Sequence, residues 1–219
     1  MTHRTRIKIC GLTREADVDA AVAAGADAIG LVLYAKSPRA VTLERAAVLA
    51  RRLPPLVMPV CLFVNADDEL LATAAQAVPQ ALFQFHGDES PARCEAWHAR
   101  SGRPYLRAAR MAPGFDLLDF AASHASAAGI LLDAHVESYG GSGKAFDWSL
   151  VPANVPRPVV LSGGLHPANV IDGITKLRPW AVDVSSGVEI AKGLKDAALM
   201  RQFCEAVREA DALIADRDH

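Results

Sequence analysis

The chain has 219 residues, of which 51% are hydrophobic and 22% are charged, a composition that can bury a substantial core. Its formal net charge of -2 excludes the basic footprint typical of proteins that bind nucleic acid or an anionic membrane. Its four cysteines, Cys10, Cys61, Cys94 and Cys204, form no C-x-x-C pair, which argues against a disulfide framework or zinc knuckle and fits a reducing cytoplasm. No apolar run approaches the about 20 residues that span a bilayer, and the N-terminus has no signal-peptide pattern. We therefore expect a cytoplasmic protein with neither a nucleic-acid nor a membrane partner.

Strand-like runs recur along the whole chain, and several are almost continuously apolar, as parallel strands covered by helices are. The predicted strands are Arg6–Cys10, Asp27–Tyr34, Met58–Val64, Ala81–His86, Pro104–Arg110, Gly129–Asp133, Pro158–Gly163 and Ala181–Ser185. Their last residues follow one another at intervals of 22 to 30 residues. This spacing predicts an α/β protein, a single (β/α)8 TIM barrel over residues 1–219, and makes a doubly wound sheet the weaker alternative.

The segments between these strands carry helix signals. Thr13 is a predicted N-cap before two acidic residues of a first turn, and Gly25 is a predicted stop for the same helix. Ser90-Pro91 is typical of an N-cap followed by proline at the first helical position. The last helix is predicted over about Ala197–Ala210, with an apolar stripe that can dock on a barrel.

Polar residues occupy one face of several strands, while bulky apolar residues occupy the other. Leu82, Gln84 and His86 share a face of strand four, opposite Phe83 and Phe85, and Tyr105 and Arg107 share a face of strand five. If the bulky faces meet the helices, the polar set converges at the carboxyl-terminal rim of the barrel: Lys8, Cys10, Gln84, His86, Arg107, Asp133 and Asp183. Active sites of TIM barrels lie at this rim, so the pattern indicates an enzyme.

Two glycine-containing loops indicate a phosphate site. Leu161-Ser162-Gly163-Gly164-Leu165 ends strand seven, and Val184-Ser185-Ser186-Gly187-Val188 ends strand eight. Either alone could be an ordinary tight turn, but TIM barrels bind phosphate with the loops after these two strands, through backbone N–H groups. The ligand class expected is therefore a phosphorylated small molecule.

The segment Gly140-Gly141-Ser142-Gly143-Lys144-Ala145 does not match a Walker A loop, because Ser138 and Ala145 stand where glycine and Ser or Thr are required. We interpret His135–Asp147 as a glycine-hinged loop long enough to cover a ligand, with a solvated connection as the alternative.

Cys10 and Asp133 are the candidate proton-transfer groups. A lone cysteine is more often a small buried hydrophobe, but Lys8 on the same face and a nearby helix N-terminus could lower the pKa of Cys10. Asp133 ends a buried strand, where an unpaired carboxyl has a raised pKa and can donate a proton. The alternative for Asp133 is a structural salt bridge with Lys8 or Arg107.

Other candidate roles are weaker. His86 and Asp183 could ligate a metal, but no third ligand completes a catalytic set, so we predict no metal. Arg39, in the loop after strand two, could hold a substrate carboxylate through two of its guanidinium nitrogens, or simply face solvent.

Together these residues resemble the phosphoribosylanthranilate isomerases, the (β/α)8-barrel enzymes of tryptophan biosynthesis. The resemblance rests on an ordered set of motifs: Lys8-Ile9-Cys10-Gly11-Leu12-Thr13, Lys36-Ser37-Pro38-Arg39, Phe63-Val64-Asn65, Gln84-Phe85-His86-Gly87-Asp88, Leu131-Leu132-Asp133, Gly140–Trp148, Leu161–Asn169 and Asp183–Glu189. It implies that Cys10 is the general base and Asp133 the general acid of an Amadori rearrangement. It also implies that Arg39 binds the anthranilate carboxylate, that the amides of Gly164, Ser186 and Gly187 bind phosphate, and that Gly163, His86 and Asp183 belong to the substrate site.

The resemblance implies an aldose–ketose isomerase that needs no cofactor, and we expect a monomer or a homodimer. Three positions depart from the family pattern. Phe85 is expected to face the helices without affecting the chemistry, His166 is expected to be a poor N-cap for a helix at Pro167, and Ala145 lacks a hydroxyl common there.

Two alternative functions stay open at this stage. One is a sister phosphosugar barrel, either an aminoimidazole carboxamide ribotide isomerase type (ProFAR-type isomerase) or an indole-glycerol-phosphate synthase. The former would need an acid on strand one, where this chain has Cys10, and the lysine and glutamate set of the latter cannot be assigned. The other is a non-catalytic phosphate-binding barrel, which has no need for both Cys10 and Asp133.

Overall fold

A computed structural model describes residues 4–134 and 146–217. Eight parallel strands close into a barrel in which each strand pairs with the next along the chain and β8 pairs back with β1. The strands are β1 Arg6–Cys10, β2 Ala28–Val32, β3 Met58–Phe63, β4 Leu82–Phe85, β5 Tyr105–Met111, β6 Gly129–Ala134, β7 Val159–Leu161 and β8 Ala181–Val184. The closed barrel confirms the predicted fold class, and all eight predicted strands are present with their ends shifted by at most two residues.

Helices on the outside of the barrel alternate with the strands. They are α1 Glu15–Ala24, α2 Leu43–Ala50, α3 Asp68–Ala77, α4 Pro91–Ser101, α5 Leu117–Ser123, α6 Val170–Leu177 and α7 Ala197–Arg217. Between β6 and β7 the described residues form a 3₁₀ turn, Trp148–Leu150, in place of an α-helix. After β8 the chain makes a short antiparallel hairpin of β9 Glu189–Ala191 and β10 Leu194–Lys195 before α7 begins.

Two of the predicted helix signals are confirmed. Gly25 ends α1 in the left-handed region, with φ of 97°, and Ser90 caps α4 by accepting a hydrogen bond from the Arg93 amide. Helix α7 is longer than predicted because its buried stripe continues past Ala210 to Ile214.

Two predicted caps are wrong. The N-cap of α1 is Arg14, while the Thr13 hydroxyl donates instead to the Gly193 carbonyl at 2.8 Å. His166 does not cap α6, which begins only after Asn169, and the Asn169 side chain accepts a hydrogen bond from the His166 amide at 2.8 Å. In both cases a contact with a neighbouring loop residue replaces the expected cap.

Apolar side chains form one layer between strands and helices and another inside the barrel. Aromatic residues of β3 and β4 lie in the outer layer, where the Phe85 ring is 5.4 Å from the Tyr105 ring. Phe85 therefore faces the helices, as predicted. The interior is filled by Leu106, Ala108, Leu131, Val160 and Ala181, and Cys10, Val32, Leu62 and Val64 form a separate cluster.

The predicted orientation of β5 is wrong. Tyr105 and Arg107 point towards the helices, where the Arg107 guanidinium donates to His124 at 3.2 Å and to the Gly87 carbonyl at 3.1 Å. The guanidinium also lies 5.5 Å from the centre of the Phe120 ring. Arg107 is consequently part of the outer layer and not of the rim, because the smaller Leu106 and Ala108 fill the interior instead.

Among residues 4–134 and 146–217, none of the helices combines the length and the apolar character that crossing a membrane requires.

Candidate active site

A cavity of about 700 Å³, counting its open mouth, lies at the carboxyl ends of the strands. Eight of the nine predicted site residues line it: Cys10, Arg39, His86, Asp133, Gly163, Gly164, Asp183 and Ser186. Gln84, from the predicted polar set, lines it as well, whereas Arg107 does not. The barrel therefore brings predicted residues from four strands and four loops to one place.

Cys10 lies at the end of β1 and is only 5% exposed. Its partner across the β1–β2 ladder is Gly30, and a methyl group added to Gly30 would lie 2.5 Å from the Cys10 Sγ. The thiol therefore occupies space that only a glycine on β2 leaves open. In the sequence Gly30 is only one residue of an apolar run, so this role could not be predicted from the pattern.

Lys8 and Asp183 form a buried ion pair beside this thiol, with Nζ and Oδ1 2.9 Å apart. Burial acts to lower the pKa of Lys8, but the Asp183 carboxylate raises it overall, so the ammonium stays charged. Burial raises the pKa of the Cys10 thiol, and the nearby ammonium groups of Lys8 and Lys195 oppose this effect without reversing it. The prediction that Lys8 could bring the Cys10 pKa below its usual value is wrong, because burial dominates and Asp183 offsets Lys8.

Asp133, at the end of β6, is held by two hydrogen bonds. Its Oδ2 lies 3.0 Å from His86 Nε2, and its Oδ1 accepts from the Ala134 amide at 2.9 Å. The other ring nitrogen of His86, Nδ1, lies 2.8 Å from Gln84 Nε2. The partner of Asp133 is therefore His86, and the alternative of a salt bridge with Lys8 or Arg107 is wrong.

Arg39 lines the opposite part of the cavity and is not solvent-facing. Its Nε and Nη2 groups donate to the two carboxylate oxygens of Glu189 at 2.8 and 2.7 Å. Glu189 Oε1 also accepts from Lys195 Nζ at 2.8 Å, and this ammonium donates to the Ser185 carbonyl at 3.0 Å. All three charged side chains are buried.

These ion pairs set the charge state of the cluster. Glu189 raises the pKa of Arg39. Burial acts to raise the pKa of Glu189, but Arg39 and Lys195 lower it by more, so the pKa of Glu189 is lowered overall. Burial lowers the pKa of Lys195 in spite of Glu189. Glu189 and Lys195 were not among the predicted site residues. The available signal was their position after strand eight, in a loop that borders TIM-barrel active sites.

The two predicted phosphate loops meet at one side of the cavity. Gly163 and Gly164 both have left-handed backbone angles, with φ of 77° and 68°, which an L side chain rarely adopts. Ser186 begins a 3₁₀ turn after β8 and lines the cavity. Gly187 lies behind it, where a Cβ would overlap the Leu165 carbonyl, so this glycine allows the two loops to pack together.

The predicted covering loop His135–Asp147, with its glycine-rich Gly140–Ala145, lies outside the described residues up to position 145. At its described end, the Asp147 side chain accepts from the Ser149 amide at 2.9 Å.

The residues that the structure describes contain no group of three His, Cys, Asp or Glu side chains placed to hold a metal. The two candidate metal ligands bind other side chains: His86 forms a hydrogen bond with Asp133, and Asp183 forms an ion pair with Lys8.

A family model described as N-(5′-phosphoribosyl)anthranilate (PRA) isomerase matches residues 7–206. An N-(5′-phosphoribosyl)anthranilate isomerase from Leptothrix cholodnii is 72% identical over 213 residues, which cover 97% of this chain and 95% of that relative.

Solved structures agree with this match. Phosphoribosyl anthranilate isomerase from Thermotoga maritima superposes with a TM-score of 0.86 at 39% identity, covering 94% of this chain and 99% of its own. A second solved isomerase is in complex with reduced 1-(o-carboxyphenylamino)-1-deoxyribulose 5-phosphate. It has a TM-score of 0.81 at 36% identity, and the match covers 94% of this chain and 99% of that one. The chain belongs to the N-(5′-phosphoribosyl)anthranilate isomerase family.

Proposed function

We propose that this cavity converts N-(5′-phosphoribosyl)anthranilate into 1-(2-carboxyphenylamino)-1-deoxyribulose 5-phosphate, with Cys10 as general base and Asp133 as general acid. The chain is an isomerase of tryptophan biosynthesis by its family. The observation that supports the residue roles is their joint position on one cavity, together with Arg39 and the two glycine loops. The sister barrels and the non-catalytic barrel are set aside by the match over residues 7–206.

The substrate carries two anionic groups, and the cavity offers a matching site for each. We assign the phosphate to the backbone amides of Gly164 and Ser186, where N–H groups can surround an anion. We assign the anthranilate carboxylate to Arg39. Glu189 occupies the Nε and Nη2 side of its guanidinium, which leaves the Nη1 side to donate to the substrate.

The first chemical step opens the ribose ring. The Asp133 carboxyl gives its proton to the ring oxygen, and the C1′–O bond breaks with its electron pair going to that oxygen. The nitrogen lone pair then forms a C1′=N bond, so the product of this step is a cationic Schiff base. His86, 3.0 Å from Asp133, positions the carboxyl for this transfer.

The second step removes the C2′ proton. The Cys10 thiolate takes it, the C–H electron pair forms a C1′=C2′ bond, and the C=N pair returns to nitrogen to give an enolamine. The enolamine then becomes the ketose by gaining a proton at C1′ and losing one from its hydroxyl. Each assisted proton transfer is typically worth about 10²–10⁴-fold in rate.

Charge around Cys10 explains how a thiol with a raised pKa can serve as this base. The buried cluster beside it holds three cations and two carboxylates: Lys8, Arg39, Lys195, Asp183 and Glu189. The net charge of these five side chains is therefore +1, and a Cys10 thiolate would bring it to zero. The cationic Schiff base brings a second positive charge into the cavity, and positive charge favours the thiolate over the thiol. We therefore propose that ring opening prepares the base for the step that follows.

The experiment is a fluorescence assay with phosphoribosylanthranilate generated in situ, comparing wild type, Cys10→Ala and Asp133→Asn. We expect both variants to lose about 10²-fold or more in kcat. Cys61→Ala is the matched control, since Cys61 is fully buried in the outer layer and should keep full activity. An inactive wild type refutes the substrate, whereas an active Cys10→Ala variant refutes the base.

We also propose the wider properties expected from the sequence: one catalytic domain over residues 1–219 that acts without cofactor or metal, in the cytoplasm, as a monomer or homodimer, and binds neither nucleic acid nor membrane. The net charge of -2 supports the last point. Full activity after dialysis against EDTA and light scattering on the purified enzyme test the metal and the oligomeric state.

A further inference from the structure

One side chain of the cavity has a hydrogen-bonding pattern that the proposed mechanism does not use. Gln84 lies on the interior face of β4 and is fully buried. Its Nε2 group faces His86 Nδ1 at 2.8 Å, while its Oε1 has no hydrogen-bond partner among the described residues. A buried amide oxygen without a partner is destabilising, so the placement needs a physical reason.

The orientation of this amide determines which nitrogen of His86 carries hydrogen. Because Gln84 Nε2 donates to Nδ1, the hydrogen of a neutral imidazole must be on Nε2. Nε2 then donates to Asp133 Oδ2, and the Ala134 amide donates to Oδ1. Both oxygens of Asp133 accept hydrogen bonds, which is the arrangement of a carboxylate and not of a proton donor.

The opposite amide orientation suits the protonated acid. If Gln84 Oε1 faces His86, it accepts a hydrogen bond from the Nδ1–H group of His86. The Nε2 atom of His86 then becomes an acceptor for an Asp133 O–H group. The His86–Asp133 pair then holds two hydrogens in place of one. A glutamine can serve both states by turning its amide. A glutamate at this position could only accept a hydrogen bond from His86, and the thioether of a methionine would fix neither tautomer.

We propose that Gln84 is a positioning residue that sets the tautomer of His86 and thereby determines whether Asp133 holds the proton it donates. The inference rests on the proposed role of Asp133 as general acid. Protons balance over the cycle: the substrate takes one at the ring oxygen and one at C1′, and releases one from C2′ and one from its hydroxyl. The His86–Asp133 pair regains its second hydrogen from water, which reaches it because these side chains are 13% and 15% exposed.

The first test measures the tautomer directly by ¹⁵N NMR on protein labelled at its seven histidines. The His86 signals are those missing from a His86→Asn variant. In the wild type without ligand we expect hydrogen on Nε2, in Gln84→Glu we expect it on Nδ1, and in Gln84→Met we expect a mixture. Unchanged signals in both Gln84 variants, or hydrogen on Nδ1 in the wild type, would overturn the inference.

The second test measures kinetics and stability of the same variants. We expect Gln84→Met to lower kcat by roughly 10–100-fold, part of the value of general-acid catalysis, with KM changed by less than about threefold. Leu82→Met is the matched control, since Leu82 lies two residues earlier on the same face of β4, outside the cavity lining, and the change conserves volume. A purely structural role for Gln84 would change the thermal midpoint but neither kcat nor the tautomer.

The two proposals fail in different ways. An inactive wild type refutes the proposed function and leaves the tautomer measurement as it stands. An active wild type that requires Asp133, combined with Gln84 variants of normal kcat and tautomer, refutes only the role of Gln84.

Discussion

Gly30→Ala is the substitution that most directly tests how the barrel positions Cys10, the proposed base. The added methyl group would lie 2.5 Å from the Sγ of Cys10 and 2.9 Å from its α-carbon. Non-bonded heavy atoms prefer separations of about 3.5–4.0 Å, so the thiol has to retreat by about 1 Å. The α-carbon belongs to the backbone of β1, which cannot turn aside as a side chain can. We therefore expect effects on both stability and rate.

The magnitudes follow from this overlap. Overpacking a well-packed core costs about 1–3 kcal/mol, which at about 2–4 °C per kcal/mol for a chain of this size lowers the thermal midpoint by roughly 2–12 °C. A misplacement of about 1 Å in a reacting group can cost about 10²-fold, so kcat should fall by up to roughly 100-fold. The free energy of unfolding is measured by urea titration, the midpoint by thermal melting, and kcat by the fluorescence assay.

A control and a double variant separate these effects. Gly129→Ala places its methyl 2.9 Å from the Pro158 carbonyl at the start of β6, so it should lose stability without losing kcat. In a Cys10→Ala background the clash with Sγ is gone, and Gly30→Ala should destabilise by at least about 0.5 kcal/mol less than in the wild type. A Gly30→Ala enzyme with wild-type kcat, or a cost independent of Cys10, would refute the view that Gly30 makes room for the thiol.

Three further predictions concern charge. Lys8→Met should cost about 3–5 kcal/mol in urea unfolding, because it leaves the buried Asp183 carboxylate uncompensated, and a Lys8→Met/Asp183→Leu double variant should recover much of this loss. Since burial raises the pKa of Cys10 and the thiolate is the reactive form, its alkylation by iodoacetamide in the free enzyme should keep accelerating above pH ~8.5; a plateau near neutral pH would contradict this. Arg107→Met should destabilise by about 3–5 kcal/mol, because it removes a buried, paired cation. It should leave kcat/KM within about twofold, because Arg107 lies in the outer layer, and a large loss of kcat/KM would contradict this position.

The barrel and most of its site could be predicted because parallel strands impose a period of two on buried residues. On β4 and β8 the apolar residues pack against the helices, so the polar residues on the other face point inward, and Gln84, His86 and Asp183 do. On β5 the same rule failed. Tyr105 and Arg107 are polar but too large for the interior, and the outer layer offers them partners in Ser126 and His124.

The remaining residues of the site depend on contacts that no local pattern records. Glu189 and Lys195 lie on a hairpin of two short strands, and their roles follow only from the return of that hairpin to Arg39. The contribution of Gly30 is a space beside Cys10, which depends on the register between β1 and β2. Interactions of this kind are set by tertiary geometry, so sequence patterns predicted their neighbourhood but not their partners.

The two ends of the cavity differ in their access to water, and the difference suits the proposed roles. Asp133 and His86 are partly exposed, as a donor must be if it regains a proton from water in every turnover. Cys10 is buried between Gly30 and the Lys8–Asp183 pair, so a proton that it takes from C2′ exchanges slowly with solvent. In the proposed mechanism that proton stays on the Cys10 sulfur beside C2′, and the carbon protonated next, C1′, is bonded to C2′. If Cys10 is the base, as proposed, the burial that raises its pKa in the free enzyme also lets its proton return to the substrate.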